Sequence, residues 1–202
     1  MTIQTIALFP LGTILFPGGL LPLKLFEQRY LEMAKACLRD ELPFGVCGIK
    51  QGAEVGAPAT PFEVGCMAKI IHWDMPQLGI LQIVAQGEAR FRVQNYHSQA
   101  DGLLVGEVVT IPNEAAQEIE DEFANCISVL KAIIAGVGEQ HFQLPLHYHD
   151  GTWVSNRLAE VLPLTRSLKQ QLLELRDTKI RLARLLQILY ERGLVVQPPT
   201  RD

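Results

Sequence analysis

Apolar positions change rhythm near residue 112, and that change divides the chain. Before it, hydrophobic residues gather in short runs broken by Pro, Gly and polar pairs. Residues 3–9 read as a strand ended by Pro10 and Gly12, and residues 20–26 form a second apolar run. Over residues 27–39 the period lengthens: Tyr30, Met33 (or Ala34), Cys37 and Leu38 recur at helical spacing. Strand character returns at 44–49, and residues 51–61 form a Gly/Ala/Pro loop. Residues 64–73, 78–85, 87–96 and 103–111 follow as β-rich runs separated by turn residues. Within them Arg90, Arg92 and Gln94 alternate with Phe91, Val93 and Asn95, the pattern of a strand with one wet face. Strands with short turns and a single early helix predict a small, strongly bent, barrel-like sheet.

After Pro112 and Asn113 the pattern is helical. Phe123, Ile127, Leu130 and Ile134 form one stripe of a long helix that Gly136 and Gly138 end. Asp150 is placed to cap a second helix carrying Trp153, Val154, Leu158 and Val161, which Pro163 stops. Ser167 with Gln170 reads as a capping box for a third helix with Leu168, Leu172 and Leu175 inside. Asp177 or Thr178 starts a fourth, with Leu182, Leu185, Leu186 and Leu189 on its buried face and Gly193 past its end. The expectation is an α+β protein: a β-rich subdomain over 1–112, then a helical bundle over 113–202.

Composition sharpens this. Hydrophobic residues make up 48% of the 202 and charged residues 20%, which describes a globular chain. The net charge of −4 argues against an indiscriminate nucleic-acid binder. Residues 166–202 are nonetheless basic, with eight Lys and Arg against four Asp and Glu. That tail reads as a solvated helix surface, with a docking face for an acidic partner as the other reading. Cys37, Cys47, Cys66 and Cys126 form no C-x-x-C pair and sit among apolar neighbours, as small buried residues do. No Lys or Arg precedes Lys24, and Pro10 and Pro17 interrupt the first apolar run, which argues against a signal peptide. No stretch approaches the ~18 uninterrupted apolar residues of a membrane helix. The chain is expected to be cytoplasmic and reduced, without a membrane partner.

Chemistry is sparse. Gly48, Gly52 and Gly56 are evenly spaced, but no Lys-Ser or Lys-Thr follows to make a phosphate loop. Ser98, Ser128, Ser155 and Ser167 lack the flanking glycines of a nucleophile elbow. His147 and His149, with His141 and Asp150, are the one constellation that hints at a metal, but Asp150 is better used as a helix cap. Glu118, Glu120, Asp121 and Glu122 read as a solvated first turn near a helix start. No metal, cofactor or catalytic residue is therefore expected. Two apolar segments stand out as candidate binding positions. Trp73 and Met75 flank Asp74 in what reads as a turn, where small polar residues are the rule, and they suit adaptable contact with peptides. The alternative points Trp73 inward, with Met75 covering the barrel mouth. Phe16 precedes Pro17-Gly18-Gly19 and is placed to line a groove, although the glycines there also serve backbone geometry.

Four blocks carry a family resemblance. They are the opening Leu8-Phe9-Pro10-Leu11-Gly12-Thr13-Ile14-Leu15-Phe16-Pro17-Gly18-Gly19 with its continuation to Tyr30, the run from Gly79 through Gly87-Glu88-Ala89-Arg90-Phe91, the pair Asp101-Gly102-Leu103-Leu104 and Gly106-Glu107-Val108, and Leu162-Pro163-Leu164 with Lys169-Gln170-Gln171-Leu172 and Asp177. In that order they resemble the LON substrate-binding domain, the N-terminal module of ATP-dependent Lon proteases. The resemblance implies a PUA-like β-subdomain followed by a helical bundle, and a role in recognising protein segments. In Lon proteases the ATPase and the Ser-Lys peptidase lie in later domains, which a chain ending at Asp202 is expected to lack. The family motif offers no catalytic residues. Glu27, Arg29, Tyr30, Arg90 and Phe91 match its recurring positions as framework, a helix-start ion pair and core aromatics. The expected function is a non-enzymatic module binding exposed apolar segments of proteins or peptides through Phe16, Trp73 and Met75. The rivals are an RNA-binding PUA-like module that uses the basic tail, and a small-molecule sensor or hydrolase that uses the cleft between the halves.

Overall fold

The computed structural model describes residues 3–54, 56 and 59–196, so part of the expected 51–61 loop and the end of the expected helical half lie outside the described residues. The first half holds β1 (Ile3–Leu11), β2 (Leu20–Leu25), α1 (Gln28–Asp40), β3 (Phe44–Gln51), β4 (Thr60–Gln77), β5 (Ile80–Ser98) and β6 (Leu104–Ile111). The second holds α2 (Ala124–Val137), α3 (Gly151–Val161), α4 (Arg166–Glu174) and α5 (Thr178–Glu191), with short 3-10 turns at Asp121–Phe123 and Glu139–His141. No described helix is long and apolar enough to cross a membrane.

The six strands form one sheet in the order β2-β5-β4-β3-β1-β6, and β5 also pairs with β6, so five of them close a ring with β2 added outside. One core cluster takes Leu8, Cys47, Met67, Phe91, Leu104 and Val108 from the five ring strands, as side chains facing the ring interior would be. A second packs Tyr30, Met33 and Ala34 of α1 against Leu81, Ile83 and Ala85 of β5. The third joins the halves, with Phe16 and Val64 packed among Leu130, Leu158, Leu172 and Leu185 of the helices.

Three local expectations are corrected. The runs 78–85 and 87–96 are one strand, β5, unbroken at Gly87. Gly87 serves a close approach within that strand: a Cβ at that position would lie 2.3 Å from the Phe16 carbonyl oxygen. The expected turn at residues 73–77 is strand as well; the chain reverses at Leu78 and Gly79, and Gly79 takes φ +81°. Finally, Thr165 caps α4 by accepting from Leu168 N, so Ser167 and Gln170 do not form the capping box. Gln170 is buried and donates to the Val64 carbonyl at 3.0 Å and to Glu174 at 2.7 Å. Asp150 and Asp177 do cap α3 and α5, each accepting a backbone N–H at 2.9 Å.

Candidate functional site

The β4–β5 hairpin outruns the core. Residues 71–79 are exposed without interruption, and among them Ile71 is 50% exposed, Trp73 55%, Met75 43% and Leu78 92%. Register explains the two faces. Leu23 of β2 pairs with Ile83, which pairs with Trp73, so these three side chains share one side of the sheet. Ile83 is buried there, and Trp73 continues its surface outward. The opposite side carries Pro22–Val84–His72 and Lys24–Gln82–Asp74 across the same strands, beside a shallow cavity of about 330 Å³. Bulges between Ile70 and His72 and between Asp74 and Gln77 bend the β4 limb and break strict alternation around Ile71 and Met75. Phe26, 56% exposed, directly follows the end of β2, where Leu25 pairs with Leu81 of the hairpin. Adjacent strands thus present apolar side chains to solvent close together, which an isolated surface residue does not.

Phe16 is not part of this surface. Its side chain is fully buried in the cluster between sheet and helices, which corrects the expectation that it lines a groove. The physical reason is the loop around it. Gly18 N donates to Gly87 O at 2.7 Å, Gly87 N donates to Gly19 O at 2.8 Å, and Arg157 of α3 donates to Pro17 O at 2.8 Å. The loop is a clamp that pins Phe16 beneath α3.

The cleft between the halves is closed by a charge cluster that the sequence did not reveal. Glu114 receives Arg90 at 2.6 Å, Arg181 at 2.7 Å and the Thr178 hydroxyl at 3.0 Å. Arg90 also donates to Leu173 O at 2.8 Å, and Arg181 to Ser155 Oγ at 3.1 Å and Leu172 O at 3.2 Å. Both guanidiniums are buried. Burial pulls Arg90 below its ordinary value, and the Glu114 carboxylate opposes that. The cavity left beside this cluster is about 160 Å³. Its charged groups are consumed by one another, which leaves little for a ligand.

The basic tail is likewise engaged within the protein. Arg181 is buried, Arg166 donates to Ile49 O at 2.7 Å, Lys169 to Glu160 O, and Arg192 to Pro163 O at 3.0 Å. Only part of it matches the expected solvated surface, as where exposed Lys179 pairs with Glu120 at 2.9 Å. Arg29 is buried and bonded to Glu27 at 2.6 Å, with further bonds to Gly102 O and Gly56 O. That makes it framework at the start of α1.

Asp150 is occupied as a cap and also accepts from Gln117 N, and His147 lies edge-on to Trp153. Among the described residues no group of three or more His, Cys, Asp or Glu is arranged to hold a metal ion. Burial pushes the Cys47 and Cys126 thiols up to about 12, Cys37 to about 11, and Cys66 in the same direction, so none has the thiolate character of a nucleophile.

A family model described as the ATP-dependent protease La (LON) substrate-binding domain matches residues 5–191. Lon protease of Parabacteroides distasonis is 28% identical over 96% of this chain and 24% of its own length. Protein cereblon of Danio rerio is 30% identical over 55% of this chain and 26% of its own. The chain therefore spans about a quarter of the length of the curated relatives it matches. Among solved structures, the Lon N-terminal domain protein from Xanthomonas campestris superposes with a TM-score of 0.77 at 32% identity, covering 92% of this chain and 98% of that one. The N-terminal domain of a Mycobacterium avium complex Lon protease, at 21% identity and TM-score 0.61, shares the fold over 91% of this chain and 97% of that one.

Proposed function

The chain belongs to the LON substrate-binding domain family, and from that premise we propose that it is a non-catalytic module that recognises exposed apolar segments of proteins or peptides. In this reading the ring-closed sheet is PUA-like, and α2 to α5 form a bundle that braces it. The hairpin carries the recognition. What supports it is the run of exposed Ile71, Trp73, Met75 and Leu78 on strands that project past the core. Trp gives rigid contact area and Met an adaptable one, a combination suited to segments of varied sequence. The four free thiols fit a reducing compartment such as the cytoplasm.

An RNA-binding reading is less well supported, because most of the tail's cations already serve carbonyls and carboxylates of this chain. The test is fluorescence anisotropy with labelled unfolded-protein peptides at two salt concentrations. Wild-type binding is saturable and salt-tolerant. Trp73→Ala with Met75→Ala weakens it about tenfold or more, the loss of two contact anchors. Both side chains are exposed, so the melting temperature moves little. Affinity unchanged in the double variant, or binding seen only to RNA with a steep salt dependence, contradicts the proposal.

A further inference from the structure

A second surface, across the sheet from the hairpin, has the properties of a strand-addition site. Residues 3–7 of β1 pair with β6 on one side, but β3 joins the other side only from Leu8 onward. Extending the parallel register back from Leu8 and Gly45 would set Pro43 opposite Ile6, and Pro43 has no N–H with which to continue the ladder. Among the described residues no strand pairs with this side of residues 3–7, an open edge of about 16 Å at a strand's rise per residue.

Two other free edges are blunted. The outer edge of β2 carries Pro22 and Lys24, and the β4 limb of the hairpin carries Lys69, Pro76 and two bulges. The segment Ile3-Gln4-Thr5-Ile6-Ala7 has none of these devices. Beside it lies a cavity of about 620 Å³, bounded by four consecutive β1 residues and floored by Met33, Ala36 and Cys37 of α1 with Leu103 and Val105. Among the described residues, the charged ones lining it are Glu32, Asp40 and Asp101, and no cation lines it.

We infer that the open edge of β1 takes up an extended segment of another protein, paired as an added strand, with Lys or Arg at alternate positions facing Glu32, Asp40 and Asp101 and apolar side chains between them. Main-chain hydrogen bonds supply affinity, and the acidic rim selects basic segments. A second copy of this chain is disfavoured as the occupant, since pairing two such edges brings two acidic rims together. Glu32 and Asp40 have neighbours in Lys35 and Arg39, but these are exposed pairs that yield readily to a better-placed cation. The inference rests on the substrate-binding reading and adds to it a different surface and a different substrate class.

The test uses the full chain and a labelled hexapeptide of alternating Lys and Val. Two further peptides are each N-methylated on one of the two alternate sets of amides. One methylated peptide is expected to bind about tenfold more weakly and the other nearly as well as the parent, because only one set faces a partner strand. Glu32→Gln with Asp40→Asn weakens the parent about threefold to tenfold, and hydrogen exchange slows within residues 3–7 on binding. The Trp73→Ala, Met75→Ala variant binds this peptide unchanged. Equal binding by all three peptides, or loss of binding in the hairpin variant, overturns the groove assignment and leaves the hairpin reading standing. A concentration-dependent dimer that the peptide displaces assigns the edge to self-pairing instead. Failure of both this peptide and unfolded-protein peptides to bind overturns the two readings together.

Discussion

Glu114→Ala lowers the unfolding free energy by about 3–5 kcal/mol, read as a shift of the urea midpoint. The Glu114 side chain is 10% exposed and is the carboxylate shared by the buried Arg90 and Arg181. Truncation leaves two guanidiniums in a desolvated site without their anion, although both keep bonds to the carbonyls of Leu173, Leu172 and Leu175. Since Glu114 lies between the halves while Arg90 is on β5 and Arg181 on α5, the loss falls on the junction and unfolds both halves together. Adding Arg181→Met to Glu114→Ala restores part of the loss, because it removes one of the unpaired buried charges. A cost below about 1 kcal/mol for Glu114→Ala contradicts this account of the junction.

Phe16→Ala also costs about 3–5 kcal/mol, the range for deleting a fully buried aromatic ring. The ring is 0% exposed and packs in the cluster that joins Val64 and Ile111 of the sheet to Leu158 and Leu172. The clamp around it limits collapse into the cavity. Gly18 and Gly19 are bonded to Gly87, and Arg157 holds Pro17, so the loop cannot follow the lost volume inward. Phe16→Leu fills most of the space and costs less. Peptide affinity of the folded fraction is unchanged in either variant, because Phe16 reaches no surface. Reduced affinity with unchanged stability reverses that assignment.

Much of the fold was legible because its signals are local. Short apolar runs bounded by Pro, Gly and polar residues marked the strands, and a 3.6-residue stripe marked the helices. Asp150 announced its cap by chemistry alone, while Asp177 was one of two starts read for the last helix, with Thr178 the other. The errors arose where tertiary contact set the residue. The break read between residues 85 and 87 vanishes in one continuous strand, where Gly87 lets the Phe16 carbonyl approach. Gln170 reads as half of a capping box until Val64 O is placed at its amide.

The site was less legible, since exposure depends on what lies opposite a strand. Trp73 and Met75 stood out because an aromatic and a Met occupied an apparent turn. Phe16 stood out by the same grammar and proved to be core. The junction left a signal that went unused: Arg181 sits within the apolar stripe of α5 beside Leu182, Leu185 and Leu189, a position a cation takes only with a buried partner. The open edge of β1 was not legible: Pro43 marks where β3 begins, but nothing local says which residues of β1 lie opposite that start.

Trp73 emission tests the central claim most directly. The chain has two tryptophans, and Trp153→Phe leaves Trp73 as the only reporter. Titration with an apolar unfolded-protein peptide is expected to shift Trp73 emission to shorter wavelength, saturating in step with anisotropy as the exposed indole is covered. Saturable binding with no change in Trp73 emission contradicts the assignment of recognition to the hairpin.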